Sequence, residues 1–313
     1  MEARGVQHTL TIRRTRERLA AALLSGLAMF AGCTQPQQVP APQVAQYPPL
    51  RPAPRHTPTR YTPPKPTTPP AQPFEQSVTI GRSVQDEPME MTVFGQTGDT
   101  TLVLGAFHGN EPTSADVARA LIRLLRAEPR HYLGRRVAVI PVVNPDGLAR
   151  GTRENAHGVD INRNFAAGNF PEDPPPGFSG GPFAGSERET LAVLTAVRQL
   201  QPARIISIHS IRRGEHGNNY DGPARALAVE MSRHNGYPVL PTMGYPTPGS
   251  FGVWAGVDRQ IPTITLELPR DASAETCWRE NRDALLAAIR FPVGREPEHW
   301  TGPTRPGGVG VGK

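Results

Sequence analysis

Four short apolar runs rich in β-branched residues constrain this chain more than any other feature: "TTLVLGAF" (100–107), "RRVAVIPVV" (135–143), "ARIISIHS" (203–210) and "PTITLEL" (262–268). Their length and composition are those of strands buried on both faces. Helical patterns lie between them. In 113–127, Val117, Leu121, Leu124 and Leu125 share one face, and Thr113 or Ser114 is placed to cap the first turn. In 185–200 the period predicts Leu191, Leu194 and Val197 facing inward, and "ETCWRENRDALLAAIRF" supplies a closing helix. Ahead of these, "SVTIGRSVQDEPMEMTVFGQ" reads as a hairpin around an acidic turn. The alternation predicts an α/β fold, a mixed, largely parallel twisted sheet with helices on both faces.

That domain is expected over 76–293. The segment before it, 33–75, carries 14 prolines in its last 42 residues and cannot build a core. It reads as an extended tether, reaching on the order of 100 Å at about 3.1 Å per residue. Residues 294–313, ending "TGPTRPGGVGVGK", read as a disordered tail. At the other end, "RRTRER" (13–18) and "LAAALLSGLAMFAG" (19–32) form the charged and apolar regions of an export signal, too short to span a bilayer comfortably. The small residues of "MFAGC" before Cys33 resemble the lipobox of bacterial lipoproteins, which implies cleavage of 1–32, lipidation of Cys33 and membrane attachment through that lipid. The expected location is therefore an exported, membrane-anchored one facing periplasm or cell wall; Thr34, in place of an aspartate, leans toward an outer membrane. With Cys33 acylated, Cys277 has no disulfide partner in the chain and is expected to be a small buried residue.

Charge excludes one class of partner. Residues 1–75 hold nine Lys/Arg against three acids, which leaves 25 of each sign for 76–313. The basic balance belongs to the leader and tether, and no nucleic-acid footprint is expected on the folded part.

The chemistry gathers where open α/β sheets place it, at the carboxyl ends of strands. His108 follows the first run, His209 closes the third, Glu267 lies near the end of the fourth, and Glu111 stands three residues after His108. Two imidazoles and a carboxylate are the ligand set of an open catalytic zinc, and such a site needs a further carboxylate to take a proton from water. A lone His at a strand end is more often a satisfied polar residue than a ligand, and HxxE by itself is a weak signal.

The order HxxE, NPDG, R-x-N…GVDINRNF, strand-terminal His and T-x-E, running across 100–268, resembles the zinc carboxypeptidase (funnelin) family. "HSIRRGEHGNNYDGPA" (209–224) and "TITLELP" are similar to its murein peptide amidase A branch, which cleaves γ-D-glutamyl–diaminopimelate bonds in peptidoglycan peptides. The resemblance implies one Zn²⁺ per chain held by His108, Glu111 and His209. It implies Glu267 as general base, Arg153 as the oxyanion-stabilising cation, and Asn162 with Arg163 as the pair binding the substrate's terminal carboxylate. Asn219, Tyr220 and Asp221 are candidates to read the zwitterionic end of diaminopimelate, or else close their own loop. Asn144 and Asp146 are as well suited to shaping a turn, and His216 to a solvated loop. Many family carboxypeptidases carry a mobile tyrosine before the base; the chain offers Tyr245 and Trp254 without a clear match. The amidase branch also includes cytoplasmic enzymes, whereas this leader reads as exported. Three readings compete: a carboxypeptidase of ordinary peptides, a deacylase of the aspartoacylase and succinylglutamate desuccinylase type, and an inactive wall-binding module.

Overall fold

Successive residues of a strand face opposite ways, and here each apolar run feeds two separate cores. The computed structural model describes residues 73–292 apart from Thr242, together with Gly294. The expected signal peptide, Cys33 and its lipid, and almost all of the tether and tail lie outside the described residues.

The strands β1 (Glu75–Arg82), β2 (Pro88–Phe94), β3 (Thr100–Leu104), β4 (Arg136–Ile140), β5 (Arg204–Ile211), β6 (Gly217–Asp221), β7 (Val239–Leu240) and β8 (Thr263–Pro269) form one sheet in the order β1-β2-β4-β3-β5-β8-β6-β7. The central pairs β4–β3, β3–β5 and β5–β8 are parallel, as is β6–β7; β1–β2, β2–β4 and β6–β8 are antiparallel. The helices are α1 (Pro112–Ala127), α2 (Pro145–Arg150), α3 (Arg188–Leu200), α4 (Arg225–Asn235) and α5 (Ala274–Arg290). On one face, Val103, Val139, Ile206, Ile208, Leu266 and Leu268 pack with Leu121 of α1, Met231 of α4 and Leu285 of α5. On the other, Leu102, Leu104, Ile140 and Ile205 pack with α3 and with Phe107, Phe165, Phe251 and Trp254. The sheet is thus mixed and covered on both faces, and each fully buried Leu or Ile contributes about 1.5–3 kcal/mol.

Three local expectations are corrected. Leu191 is 51% exposed, while α3 buries Ala192, Val193, Ala196 and Val197. The reason is β1: a Cβ on Gly81 would come within 2.7 Å of the Ala192 Cβ, so only a small residue fits that contact. The capping of α1 also differs, since Glu111 is its N-cap residue and no side chain caps it. Ser114 instead donates to the Glu111 carbonyl (2.6 Å) and accepts from the Ala106 amide (2.9 Å), tying helix to loop. Finally, the expected 219–221 loop is the strand β6. Cys277 is buried in the α5 core, as expected.

Candidate active site

The loop from β3 to α1 delivers His108 and Glu111. Its glycine serves close approach: a Cβ on Gly109 would lie 1.9 Å from the backbone of Gly147 in α2, so the two glycine-bearing motifs touch through their backbones. Asn144 accepts from the Gly147 amide (2.8 Å) and donates to the Phe107 and Arg153 carbonyls. Asp146 accepts from Ser83 Oγ (2.6 Å) and the Gln85 amide. Both hold the scaffold in place. His209 and Glu267 lie inside their strands, two residues before each end, and face one another in the β5–β8 register. They project on the side of the sheet opposite Ile208 and Leu266. Phe107 stacks on the His209 ring at 5.6 Å between centroids.

His108, Glu111 and His209 bring one donor atom each within 4.8 Å of the others, all buried. Both imidazoles turn Nδ1 inward, 3.3 Å apart, toward the Glu111 oxygens at 2.8 and 3.2 Å. Their outer Nε2 atoms meet Asp160 (3.1 Å) and Ser207 (3.0 Å). A carboxylate such as Asp160 only accepts, so His108 Nε2 carries the proton. A neutral His108 would then aim a bare Nδ1 lone pair at Glu111. A cation on that atom resolves the conflict, and this donor set fits a metal ion.

The electrostatics follow from this burial. Burial alone lowers His108, but the Glu111 and Asp160 carboxylates overcome it and raise the ring to about 9. Burial works upward on Glu111, yet the two imidazoles hold it well below the usual carboxylate range. Asp160 is also held low against its burial, by His108 and by Arg153 and Arg163. Burial lowers His209. Glu267 stands outside the donor cluster; burial, reinforced by the Glu111 charge, pushes it up to about 8.

Asp160 joins three parts of the site. Besides His108 it accepts from Arg153 Nε (2.9 Å) and from the Asn162 amide (2.9 Å). Arg153 in turn puts Nη1 3.3 Å from His108 Nδ1.

A cleft of about 230 Å³ opens over these residues, lined also by Asn162, Arg163, Asn219, Asp221, Tyr245 and Arg270. Asn162 spends its side-chain oxygen on the Phe251 amide (2.9 Å), leaving its NH₂ for the cleft. Asn219 and Asp221 alternate with Tyr220 along β6. Asn219 pairs with Thr265 on the cleft side, whereas Tyr220 pairs with Ile264 and packs on the opposite core. The strand's two-residue period therefore removes Tyr220 from the expected recognition set. The Asn219 side-chain oxygen is buried without a partner, and burial pushes Asp221 up to about 6. Tyr245 lines the cleft half-exposed, while Trp254 is buried among Phe165 and Phe251. His216 is half-buried, its ring 4.6 Å from that of Tyr237, rather than solvated. Sequence reasoning missed Asp160, Ser207 and Arg270, although Asp160 sits within the quoted "GVDINRNF".

Comparison with known proteins agrees with this geometry. The zinc carboxypeptidase family profile matches residues 74–215. Murein peptide amidase A of Escherichia coli (strain K12) is 32% identical over 193 residues, 56% of this chain and 74% of that protein. Gamma-D-glutamyl-L-diamino acid endopeptidase 1 of Lysinibacillus sphaericus is 24% identical over 274 residues, 70% of this chain and 68% of that protein. Among solved structures, murein-tripeptide amidase from Escherichia coli O157 superposes with a TM-score of 0.57 at 27% identity, covering 72% of this chain and 94% of its own. Sheet order, donor cluster and these likenesses agree: the chain is a hydrolase that belongs to the zinc carboxypeptidase family.

Proposed function

We propose that this protein is a zinc metallopeptidase hydrolysing the γ-D-glutamyl–meso-diaminopimelate amide bond of peptidoglycan peptides. The observation that carries this reading is the division of the cleft into donors and acceptors. Asn162 and Arg163 offer donors for a terminal carboxylate, while the buried Asn219 side-chain oxygen and the half-buried Asp221 carboxylate offer two acceptors with no hydrogen-bond partner among the described residues. A leaving residue with a carboxylate and a side-chain ammonium satisfies both. Diaminopimelate has that form, and the similar proteins are named for murein peptides and γ-D-glutamyl-diamino acid bonds.

His108, Glu111 and His209 would hold one zinc ion, which when bound supplies Lewis acidity to the scissile carbonyl and acidifies water. Glu267, facing His209 across the β5–β8 pair, takes the proton of the attacking water and passes it to the departing amine. Arg153, fixed by Asp160, donates to the carbonyl oxygen as charge develops there. Arg163 and the Asn162 NH₂ orient the leaving residue. The reading places the enzyme outside the cytoplasm on a lipid anchor, which fatty-acid labelling lost in Cys33→Ser tests.

The catalytic test is hydrolysis of L-Ala-γ-D-Glu-meso-diaminopimelate by the purified zinc-loaded protein, with Glu267→Gln as control. Release of diaminopimelate by the wild type alone is expected. Cleavage of only a C-terminal L-amino-acid dipeptide would instead identify a carboxypeptidase of ordinary peptides. Hydrolysis of neither, with zinc bound stoichiometrically, would favour the deacylase or the binding module.

A further inference from the structure

Three arginines stand where β5 and β8 run out. Arg212 pairs with Glu215, and Arg213 pairs with Asp271 (2.8 Å). Arg270 is different. Its Nη2 donates to the Ser210 carbonyl (2.8 Å) and lies 3.5 Å from Glu111 Oε1, which is already shared with His108. Its Nε and Nη1 have no partner among the described residues, half of the side chain is exposed, and it lines the cleft.

Its place along β8 gives this guanidinium a direction. Thr263 pairs with Asp221, Thr265 with Asn219, and Glu267 with Gly217. Travelling along the strand, one meets Asp221, then Asn219, then the base, and beyond the strand's end Arg270. A substrate whose leaving residue lies toward Asn219 and Asp221, with its amide at Glu267, must send its acyl residue toward Arg270. In an ordinary α-linked peptide that residue continues as backbone amide. In a γ-glutamyl amide it carries a free α-carboxylate four bonds from the scissile carbon, about 5 Å away when extended.

We infer that Arg270 is the acyl-side specificity residue, binding the free carboxylate beside a γ-linked scissile amide. The inference rests on the γ-glutamyl reading above and adds a second anchor to it. The guanidinium fork is pre-organised by Ser210, and its remaining donors suit a planar carboxylate. This explains why an arginine so near the donor cluster is left half-exposed. Discrimination between γ- and α-linked substrates then arises on both sides of the bond.

The test compares two tripeptides that differ only in that group, one with γ-D-Glu and one with γ-D-isoglutamine, its α-carboxamide. A charge-assisted contact of about 1.5–3 kcal/mol corresponds to a preference of roughly 10- to 100-fold in kcat/KM for the carboxylate. In Arg270→Met the ratio should fall to near one, and in Arg270→Lys it should be partly restored. Calorimetric binding of both tripeptides to Glu267→Gln should show the same preference in Kd, lost in the double variant. Equal cleavage of the two substrates by the wild type overturns the inference while leaving the γ-glutamyl reading intact. An Arg270→Met variant slowed equally on both makes Arg270 a positioning residue for Ser210 and Glu111, which also overturns it. If the wild type cuts neither γ-linked peptide but does cut an α-linked one, the γ-glutamyl reading fails and the inference falls with it.

Discussion

Glu111 accepts from the Ser210 amide at 3.0 Å and faces two imidazoles, whereas Asp221, across the same cleft, has no hydrogen-bond partner among the described residues. Both carboxylates are withdrawn from water, with opposite results: Glu111 is held well below the usual range and Asp221 is pushed up to about 6. On the chemical side of the cleft, His108, Glu111, His209, Arg153 and Asp160 are held in one network, with Asp160 fixing His108 and Arg153 together. The facing side, Asn219, Asp221 and Arg270, holds polar atoms whose valences are left open. Pre-organisation accounts for the first, since groups that act in the transition state gain by not having to move. Open valences account for the second, because a buried acceptor without a donor penalises every ligand that fails to supply one.

The largest effect should come from the chemical side. Glu267→Gln keeps the shape and removes the base, so kcat is expected to fall by about 10²- to 10⁴-fold with zinc stoichiometry unchanged; a fall in zinc content would instead make Glu267 part of the donor set. Next comes Asp160→Asn, which removes the charge that orients His108. Zinc affinity measured by competition with a chromophoric chelator should drop about 10- to 100-fold, and an unchanged affinity would blur the contrast between the two sides.

On the open side, Asp221→Asn should raise KM for the diaminopimelate peptide about 10-fold or more and leave kcat within a few-fold. The same substitution has a stability signature. The folded protein binds the Asp221 proton more tightly than the unfolded chain does, so this group's contribution falls as pH rises from 3.8 to about 6. Removing the charge should therefore raise the thermal midpoint of the ligand-free protein at pH 7.5, and an unchanged or lower midpoint would show Asp221 to be satisfied after all. Preference for an ammonium-bearing leaving residue over an apolar isostere should also weaken as pH drops through about 6, a dependence that Asn abolishes. The smallest effect belongs to Tyr220→Phe. Because Tyr220 faces the opposite core, KM should stay within about twofold, and a larger change would mean that β6 turns its other face to the cleft.

The chemical side was the more legible one in the sequence. His108, Glu111, His209 and Glu267 follow or sit within apolar β-branched runs, where a polar residue stands out, and their order repeats a family pattern. The open side was harder to read because β6, "GNNYD", has no apolar period of its own; its strand character comes from pairing with β8. Without that pairing Tyr220 could not be separated from its neighbours. Arg270 was invisible for a related reason, since only the fold brings the end of β8 beside Ser210. The helix α4 leaves little trace in the sequence, because Leu227, Ala228 and Met231 give it a weak stripe amid polar residues. In α3 the larger Leu191 outweighed Ala192 by hydrophobicity, but contact with Gly81 favoured the smaller residue. Periodicity shows that a helix has a buried face, and the neighbour decides which residue packs there.

The alternation along β6 also bears on how such an enzyme changes over generations. Positions 219 and 221 line the cleft while 218 and 220 are buried or packed away from it, and the His108, Glu111, His209 and Glu267 cluster comes from other elements. A lineage can therefore exchange the two acceptors for residues of other charge or size, and so acquire new peptides, without disturbing the machinery that breaks the bond. Inheritance of the reaction and inheritance of its diet are stored in different strands.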